Sequence, residues 1–175
     1  MEIFVYVTGT VLIMAISWFL SIKHRRYHGV ARFFSFESIF VLIWLNRHVW
    51  FPDPLAINQI FSWLTLFLSL YFAVAGFLLL IRLGKPSASN FENTSVLVRT
   101  GLYKYIRHPL YMSLFLLGTG AMLKDIKSVQ LILGLINMVA VYLTARIEEK
   151  EMYARFGEEY KKYKKETKMF IPYIF

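Results

Sequence analysis

The sequence predicts an all-α integral membrane protein with about five transmembrane helices. The 175 residues are 57% hydrophobic and only 18% charged, whereas soluble domains contain roughly 45–50% apolar and about 25% charged residues. The apolar residues also lie in long uncharged runs, which is typical of segments that cross a bilayer. A soluble fold would expose too much of this apolar surface to water, so the composition excludes it.

Five apolar runs are predicted to span the membrane within a single domain. They cover about residues 3–22, 33–50, 57–81, 109–123 and 129–145, and a charged segment, 146–175, follows them. No basic residues precede the first run and no small-residue cleavage site follows it, which favours a retained helix over a signal peptide. The fourth run is short for a hydrocarbon core of about 30 Å, so we expect it to begin in the interface or to be lined by other helices.

The basic residues alternate between the two sides of these spans. All but three of the 20 lysines and arginines follow the first, third or fifth span, and the exceptions are Arg47, Lys124 and Lys127. The positive-inside rule therefore places the N-terminus outside and the C-terminal segment in the cytoplasm. In a membrane protein the net charge of +9 indicates orientation, and no nucleic-acid partner is predicted.

The residue types present restrict the possible chemistry. The chain has no cysteine, which excludes a disulfide framework, thiolate zinc ligation and a cysteine nucleophile. His24 and His28 have the i, i+4 spacing of metal ligands, but they lie in a basic loop without a third ligand. No metal site is predicted.

The segment before the fourth span is unusual for a membrane loop. It reads Ser95-Val-Leu-Val-Arg-Thr-Gly-Leu-Tyr-Lys-Tyr-Ile-Arg-His-Pro-Leu-Tyr111. Pro109 suits the first turn of the helix that it opens. Arg107 and His108 then lie at a helix N-terminus, where the backbone N–H groups and the dipole favour an anionic ligand group. The alternative, which the Arg-His-Pro triplet alone favours, is that both residues anchor a short span at the interface.

Carboxylates follow the fifth span directly, in the sequence Arg146-Ile-Glu-Glu-Lys-Glu151. Glu148 and Glu151 share one face if the helix continues beyond the membrane. Carboxylates at this place suit a ligand with amine, hydroxyl or sulfonium groups. A solvated helix end with alternating charges is the alternative explanation.

A basic and aromatic stretch completes the chain and begins with Phe156-Gly-Glu-Glu-Tyr-Lys-Lys-Tyr163. Gly157 is expected to break the helix. Tyr160 and Tyr163 are three residues apart and can pack either against the membrane surface or against a ligand.

Taken in this order, the pieces resemble the integral membrane methyltransferases that include the isoprenylcysteine carboxyl methyltransferases and the phospholipid N-methyltransferases. The resemblance covers about residues 84–175 and rests on the block from Gly101 to Tyr111, the Glu148-Glu149 pair and the Phe-Gly-Glu-Glu-Tyr turn. It implies S-adenosylmethionine as the cofactor, in a cytoplasmic site formed by the loop before the fourth helix and the C-terminal segment.

The resemblance also implies which positions bind the cofactor. They are Ser95, Val96, Leu97, Val98, Tyr103, His108, Pro109, Leu110, Tyr111 and Glu148, with Glu149 as the alternative to Glu148 if the register slips by one. The carboxyl methyltransferases of the family often have His where Ser95 stands, and they carry an arginine for the substrate carboxylate where Thr144 stands. Arg146 is close in sequence but turned to another helix face. Arg146 and Glu149 are the candidates for a catalytic role.

The predicted activity is methyl transfer to a lipid or prenylated substrate from the bilayer, most like isoprenylcysteine carboxyl O-methylation. Phospholipid amine N-methylation and small-thiol S-methylation are alternatives within the same class. An NADPH-dependent sterol-type reductase is a further alternative, because those proteins resemble this one in Arg-His-Pro-x-Tyr and in an ending similar to Ile171-Pro-Tyr173. A non-catalytic membrane scaffold is the last, and it would bind no cofactor.

Overall fold

The computed structural model describes residues 2–20, 27–87 and 90–174, and it confirms the predicted all-α membrane fold. Six helices are described: α1 (Glu2–Leu20), α2 (His28–Leu45), α3 (Ile57–Gly84), α4 (Pro109–Leu123), α5 (Ser128–Phe156) and α6 (Glu158–Glu166). A short antiparallel hairpin of β1 (Pro86–Ser87) and β2 (Asn90–Thr94) follows α3, and a 3₁₀ turn covers Gly101–Lys104.

The outer surface of the bundle is apolar. Helices α1, α2, α3 and α5 are long and apolar enough to cross a membrane, and α4 is a shorter apolar helix. Large side chains such as Phe4, Phe67 and Leu135 are more than half exposed. An exposed apolar surface of this extent is not found on soluble monomers. The protein is therefore an integral membrane protein, in which α1 packs on α2.

The helices follow the predicted spans, with one clear displacement. Helix α4 has the predicted bounds 109–123, whereas α3 and α5 continue beyond 81 and 145 to Gly84 and Phe156. Helix α2 covers His28–Leu45, so the predicted span 33–50 lies about five residues too late. The physical reason is that the polar first turns of α2 are buried inside the protein instead of forming a loop. The structure does not describe the end of the first predicted span, residues 21–22, or the four residues after it, Lys23, His24, Arg25 and Arg26.

Glycines allow α4 to approach both of its neighbours closely. A Cβ atom on Gly118 would lie 2.1 Å from Nδ2 of Asn137 on α5, and one on Gly120 would lie 2.7 Å from Cγ of Leu66 on α3. Small residues at helix contacts are typical of membrane bundles, because packing rather than the hydrophobic effect holds such helices together.

Buried hydroxyl and amide groups connect the helices by hydrogen bonds. Ser35 Oγ of α2 donates to Asn137 Oδ1 of α5 (2.7 Å), and Asn137 Nδ2 donates to the Leu114 carbonyl of α4 (3.2 Å). Ser69 Oγ of α3 donates to the Ser113 carbonyl (2.8 Å). These bonds satisfy polar groups that find no water inside a membrane, and they fix the depth of each helix relative to its neighbour.

The C-terminal segment folds back onto the loop before α4. Gly157, as predicted, ends α5, and its φ of 54° is a conformation that glycine adopts readily. After α6, the Arg107 N–H donates to the Lys168 carbonyl (2.8 Å) and the Lys168 N–H donates to the Tyr105 carbonyl (3.1 Å). This bridge brings together the two segments in which the sequence predicts a site.

Candidate functional site

A cavity of about 270 Å³ lies where α5, α6 and the loop before α4 meet. Its volume is close to the lower end of the range for small-molecule sites, roughly 300–1,000 Å³. Helices α2, α3 and α4 and the end of β2 form the rest of its wall. The lining residues are Arg32, Phe36, Phe77, Leu80, Thr94, Leu97, Val98, Tyr103, Arg107, His108, Pro109, Leu110, Tyr111, Ser113, Leu114, Glu148, Met152, Tyr160 and Tyr163.

Most of the predicted cofactor positions line this cavity. They are Leu97, Val98, Tyr103, His108, Pro109, Leu110, Tyr111 and Glu148. Ser95 and Val96 are exposed and do not line it. Ser95 Oγ donates to the Lys85 carbonyl (3.0 Å) and the Val96 N–H donates to the Gly84 carbonyl (3.1 Å), so both residues attach the loop to the end of α3.

The two candidates for catalysis, Arg146 and Glu149, also lie away from the cavity. Both border a separate surface depression with Lys150 and Lys164. The Arg146 guanidinium lies 6.0 Å from the centroid of the Tyr142 ring on the same helix. Of the two adjacent glutamates, Glu148 is therefore the one that lines the cavity.

Glu148 and His108 form a charged pair at the cavity wall. Oε2 of Glu148 lies 3.6 Å from Nδ1 of His108, and both side chains are largely buried. Burial alone would raise the pKa of Glu148, but the contact with His108, together with His28 and Tyr111, lowers it to about 2. Glu148 is thus a carboxylate at any physiological pH.

His108 sits between two carboxylates. Its Nε2 lies 3.8 Å from Glu149 Oε1 and has no hydrogen-bond partner among the described residues. Burial would lower the pKa of His108, but the carboxylates of Glu148 and Glu149 outweigh that effect and raise the pKa above its ordinary value of 6.5. The ring of His108 is stacked on Tyr111, with 5.5 Å between the ring centroids.

The raised pKa of His108 predicts a pH-dependent stability. The contribution of His108 is complete below about pH 6.5 and is lost as the pH rises through the raised value, because the folded state then loses a proton that it binds more tightly than the unfolded state. We expect the thermal unfolding midpoint in detergent to fall as the pH rises above neutral. The stability lost is about 1.4 kcal/mol for each unit by which the pKa of His108 is raised. His108→Gln should flatten this dependence. Equal slopes for both proteins between pH 6 and pH 9 would contradict the assignment.

Behind the cavity, Glu149 holds the C-terminal segment in place. Nε and Nη2 of Arg107 both lie 2.7 Å from Glu149 Oε1, and Lys164 Nζ of α6 lies 2.6 Å from Oε2. Nη1 of Arg107 also donates to the Thr167 carbonyl. The side chains of Glu149 and Arg107 are buried, so this network joins α5, α6 and the loop before α4 in a medium where a broken ion pair is costly.

Three tyrosines form an aromatic wall of the cavity. The Tyr163 hydroxyl donates to the Tyr103 carbonyl (2.7 Å), and the rings of Tyr160 and Tyr163 are 6.0 Å apart at their centroids. Within the described part of the chain, the buried hydroxyl of Tyr160 has no hydrogen-bond partner. Burial raises the pKa of all three phenols, so they are neutral at physiological pH.

Tyr160 and Tyr163 are expected to respond differently to removal of the hydroxyl. Tyr163→Phe removes a buried hydrogen bond to the backbone, so it should destabilise the protein by about 0.5–1.5 kcal/mol. Tyr160→Phe removes a hydroxyl without a partner, and the thermal unfolding midpoint should stay at the wild-type value or rise. Thermal unfolding of both variants in the same detergent tests this difference. A larger loss for Tyr160→Phe than for Tyr163→Phe would contradict it.

Several residues of the site could not be assigned from sequence. Arg32 and Phe36 of α2 and Phe77 of α3 line the cavity, but no local motif marks them, because they come from distant segments. Arg107 lines the cavity as well, and the only signal for it was its place before Pro109. The three-residue spacing of Tyr160 and Tyr163 allows contact with a ligand, but a basic and aromatic tail at the membrane surface is its ordinary explanation.

The segment that contains these residues matches a known family. Residues 87–154 match the profile of the isoprenylcysteine carboxyl methyltransferase family. This segment belongs to that family. The predicted resemblance is thereby confirmed for the stretch that supplies the loop before α4, α4 and most of α5.

Curated relatives also match part of the chain. Methanethiol S-methyltransferase of Crocosphaera subtropica is 31% identical over 72 residues, which are 41% of this chain and 28% of that protein. Protein-S-isoprenylcysteine O-methyltransferase of Saccharomyces cerevisiae is 32% identical over 84 residues, which are 47% and 35% of the two chains. Methanethiol S-methyltransferase of Pseudomonas deceptionensis is 34% identical over 71 residues, or 41% and 26%.

The matches therefore span between about a quarter and a third of the length of these curated relatives. No solved structure matches the chain significantly.

Proposed function

We propose that the chain is an S-adenosylmethionine-dependent methyltransferase that acts on a membrane-associated substrate. The observation that supports this most directly is the cavity itself. Two parts of its wall, the loop before α4 and the part of α5 with Glu148, lie within the segment that matches the family. The basic residues around these segments favour a cytoplasmic position of the site.

The residues of the cavity fit the proposed cofactor. The buried carboxylate of Glu148 suits a cationic amino group, and the backbone N–H groups at the N-terminus of α4 suit a carboxylate. The tyrosine wall and the side chains of Leu97 and Val98 offer an aromatic and apolar surface for a purine ring. When bound, S-adenosylmethionine supplies an electrophilic methyl group for an in-line displacement. The side chains named here would bind and orient the reactants and exclude water.

The electrostatics of the cavity favour a carboxylate as the methyl acceptor. An amine or a thiol must first lose a proton, and a general base works best with a pKa near the operating pH. Among the described lining residues, Glu148 has a pKa of about 2 and is a poor base at neutral pH, and His108 is engaged by the carboxylates of Glu148 and Glu149, which raise its pKa. A carboxylate is already ionised, which supports O-methylation of a prenylcysteine-like carboxylate.

Small-thiol S-methylation is the second candidate, because two of the relatives described above are methanethiol S-methyltransferases. A small thiol is mostly protonated at neutral pH, since even the cysteine side chain has a pKa of about 8.5, so its ionised fraction rises with pH. This candidate predicts a rate that rises steeply with pH between about 6 and 8, whereas a carboxylate acceptor predicts no such rise from its own ionisation.

Calorimetric titration of the detergent-solubilised protein with S-adenosylhomocysteine, and separately with NADPH, tests the proposal. We expect saturable binding of S-adenosylhomocysteine and none of NADPH. Binding of NADPH alone would indicate a reductase of the sterol type. Binding of neither would indicate a scaffold, and either of these two results would overturn the proposal.

A further inference from the structure

One charged group of the cavity has no part in the cofactor site described above. Arg32 lies on α2, its side chain is only 5% exposed, and it lines the cavity. Its guanidinium carbon lies 5.7 Å from the centroid of the Phe36 ring, which is one turn further along α2 and lines the same cavity. A cation and an apolar surface therefore come together on this wall.

Two contacts fix the depth of Arg32 in the bundle. His28 Nδ1 of α2 lies 3.0 Å from Glu151 Oε1 of α5, and Ser35 Oγ donates to Asn137 Oδ1 of α5. These contacts show that the two helices run antiparallel. Arg32 lies about one turn from each of His28 and Ser35, so it is level with the stretch of α5 between Asn137 and Glu151. Glu148, which lines the cavity as well, belongs to that stretch.

Helix α5 supplies no positive charge to the cavity at this depth. Thr144 is buried, and its hydroxyl donates to the Ala140 carbonyl of its own helix (2.7 Å). Arg146 borders the separate surface depression. The other guanidinium that lines the cavity, Arg107, is held by Glu149 and the Thr167 carbonyl. Among the described lining residues, Arg32 is thus the guanidinium that α2 supplies, on a different helix from Glu148 and Glu149.

The surroundings of Arg32 define the chemistry of a suitable ligand. Phe36 of α2 and Phe77 and Leu80 of α3 line the same cavity with apolar side chains. Arg32 has contacts within the chain as well, but a guanidinium carries five N–H donors and can hold a ligand oxygen in addition. Arginine binds carboxylates and phosphates through two parallel hydrogen bonds, and a buried position with few water molecules strengthens such contacts.

We infer that Arg32 binds the anionic group of the methyl acceptor, a carboxylate or a phosphate attached to a hydrocarbon chain that lies along Phe36, Phe77 and Leu80. Arg32 is then the specificity-determining residue for the acceptor. This inference rests on the proposed function, since it assumes that the cavity also holds the cofactor beside Glu148. It assigns a role to α2, which lies outside the segment 87–154 that matches the family.

Binding of three probes with one common farnesyl chain tests this assignment. The probes are N-acetyl-S-farnesylcysteine with a free carboxylate, its carboxamide, and farnesyl phosphate. Each is titrated into the full chain in detergent, as wild type, Arg32→Met, Arg32→Lys and Arg82→Met. Arg82 is an exposed arginine in the last turn of α3 and serves as the matched control for the loss of one positive charge. S-adenosylhomocysteine is titrated into every variant as a check of the fold and of the cofactor site.

We expect wild type and Arg82→Met to bind at least one anionic probe about 10- to 100-fold more tightly than the carboxamide, which is the usual worth of a charge-assisted contact. Arg32→Met should abolish this preference and Arg32→Lys should keep part of it, with unchanged affinity for S-adenosylhomocysteine. Which anion binds more tightly distinguishes a carboxylate acceptor from a phosphate-bearing one.

Other results would overturn the inference. They are an equal preference for the anion in wild type and Arg32→Met, no preference in wild type, no binding of any probe, or a selective loss of S-adenosylhomocysteine binding in Arg32→Met. The last result would place Arg32 in the cofactor site. Failure of wild type to bind S-adenosylhomocysteine would instead overturn the proposed function, whatever the farnesyl probes show.

Discussion

Glu149→Ala is expected to destabilise the protein by about 3–5 kcal/mol, which is the cost of removing one partner from a buried ion pair. The side chain of Glu149 is 4% exposed and that of Arg107 is 7% exposed. Without the carboxylate, the guanidinium of Arg107 stays buried and loses its ion-pair partner, with the ammonium group of Lys164 left nearby. The pKa of Glu149 agrees with this role: burial would raise it, but contacts with His108, Lys164 and Arg107 hold it well below its ordinary range.

The measurement is the thermal unfolding midpoint in detergent, together with limited proteolysis of the C-terminal segment. Because Glu149 joins α5 to Lys164 of α6, its loss should release α6 and make residues after Gly157 sensitive to protease at temperatures where the bundle is folded. Glu158→Ala is the matched control, since its ion pair with Lys161 is exposed on α6. We expect no measurable change there.

Arg107→Met combined with Glu149→Met tests the physical reason for the loss. Replacing both side chains with Met leaves no unpaired buried guanidinium, and Lys164 is about half exposed, so the double variant should be markedly more stable than Glu149→Met alone. A double-mutant cycle with the single Glu149→Met and Arg107→Met variants isolates the coupling between the two residues. A loss below about 1 kcal/mol for Glu149→Ala would mean that the network is as weak as a surface ion pair.

The sequence predicts the membrane fold well because one physical requirement dominates it. A chain in a bilayer must satisfy its backbone groups within helices and cover them with apolar side chains. Long apolar runs therefore identify α1, α3, α4 and α5, and Pro109 and Gly157 mark where α4 begins and where α5 ends. The predicted bounds of α2 lie too late in the sequence because His28 and Arg32 are charged or polar, and hydropathy assigns them to a loop. The fold buries both residues inside the protein.

The site was predictable only where its residues are close in sequence. The family resemblance of the loop before α4 and of the glutamate pair implies His108, Pro109, Tyr111 and Glu148 as site residues, and all four line the cavity. The pairing of Arg107 with Glu149 and the return of α6 depend on contacts over tens of residues. Hydropathy describes the C-terminal segment as a basic tail and contains no information on where that tail packs.

Glu148→Gln is expected to weaken binding of S-adenosylhomocysteine by about 10- to 100-fold, which corresponds to the loss of a hydrogen bond to a charged group worth about 1.5–3 kcal/mol. The substitution keeps the size of the side chain and removes only the charge that faces the cavity. His108 loses one of its two carboxylate neighbours but keeps Glu149 at 3.8 Å. The thermal unfolding midpoint without ligand should therefore change much less than in Glu149→Ala.

The two adjacent glutamates thus predict opposite results, and their comparison assigns each role. Glu148→Gln should lose affinity in calorimetry with little loss of stability, whereas Glu149→Ala should lose stability first. Glu166, an exposed carboxylate at the end of α6, provides the control: Glu166→Gln removes one negative charge and should bind like wild type.

If Glu148→Gln binds like wild type while Glu149→Gln loses affinity at unchanged stability, the cofactor contact belongs to Glu149. Helix α5 would then have to present its other face to the ligand, which the burial of Glu149 against Arg107 opposes.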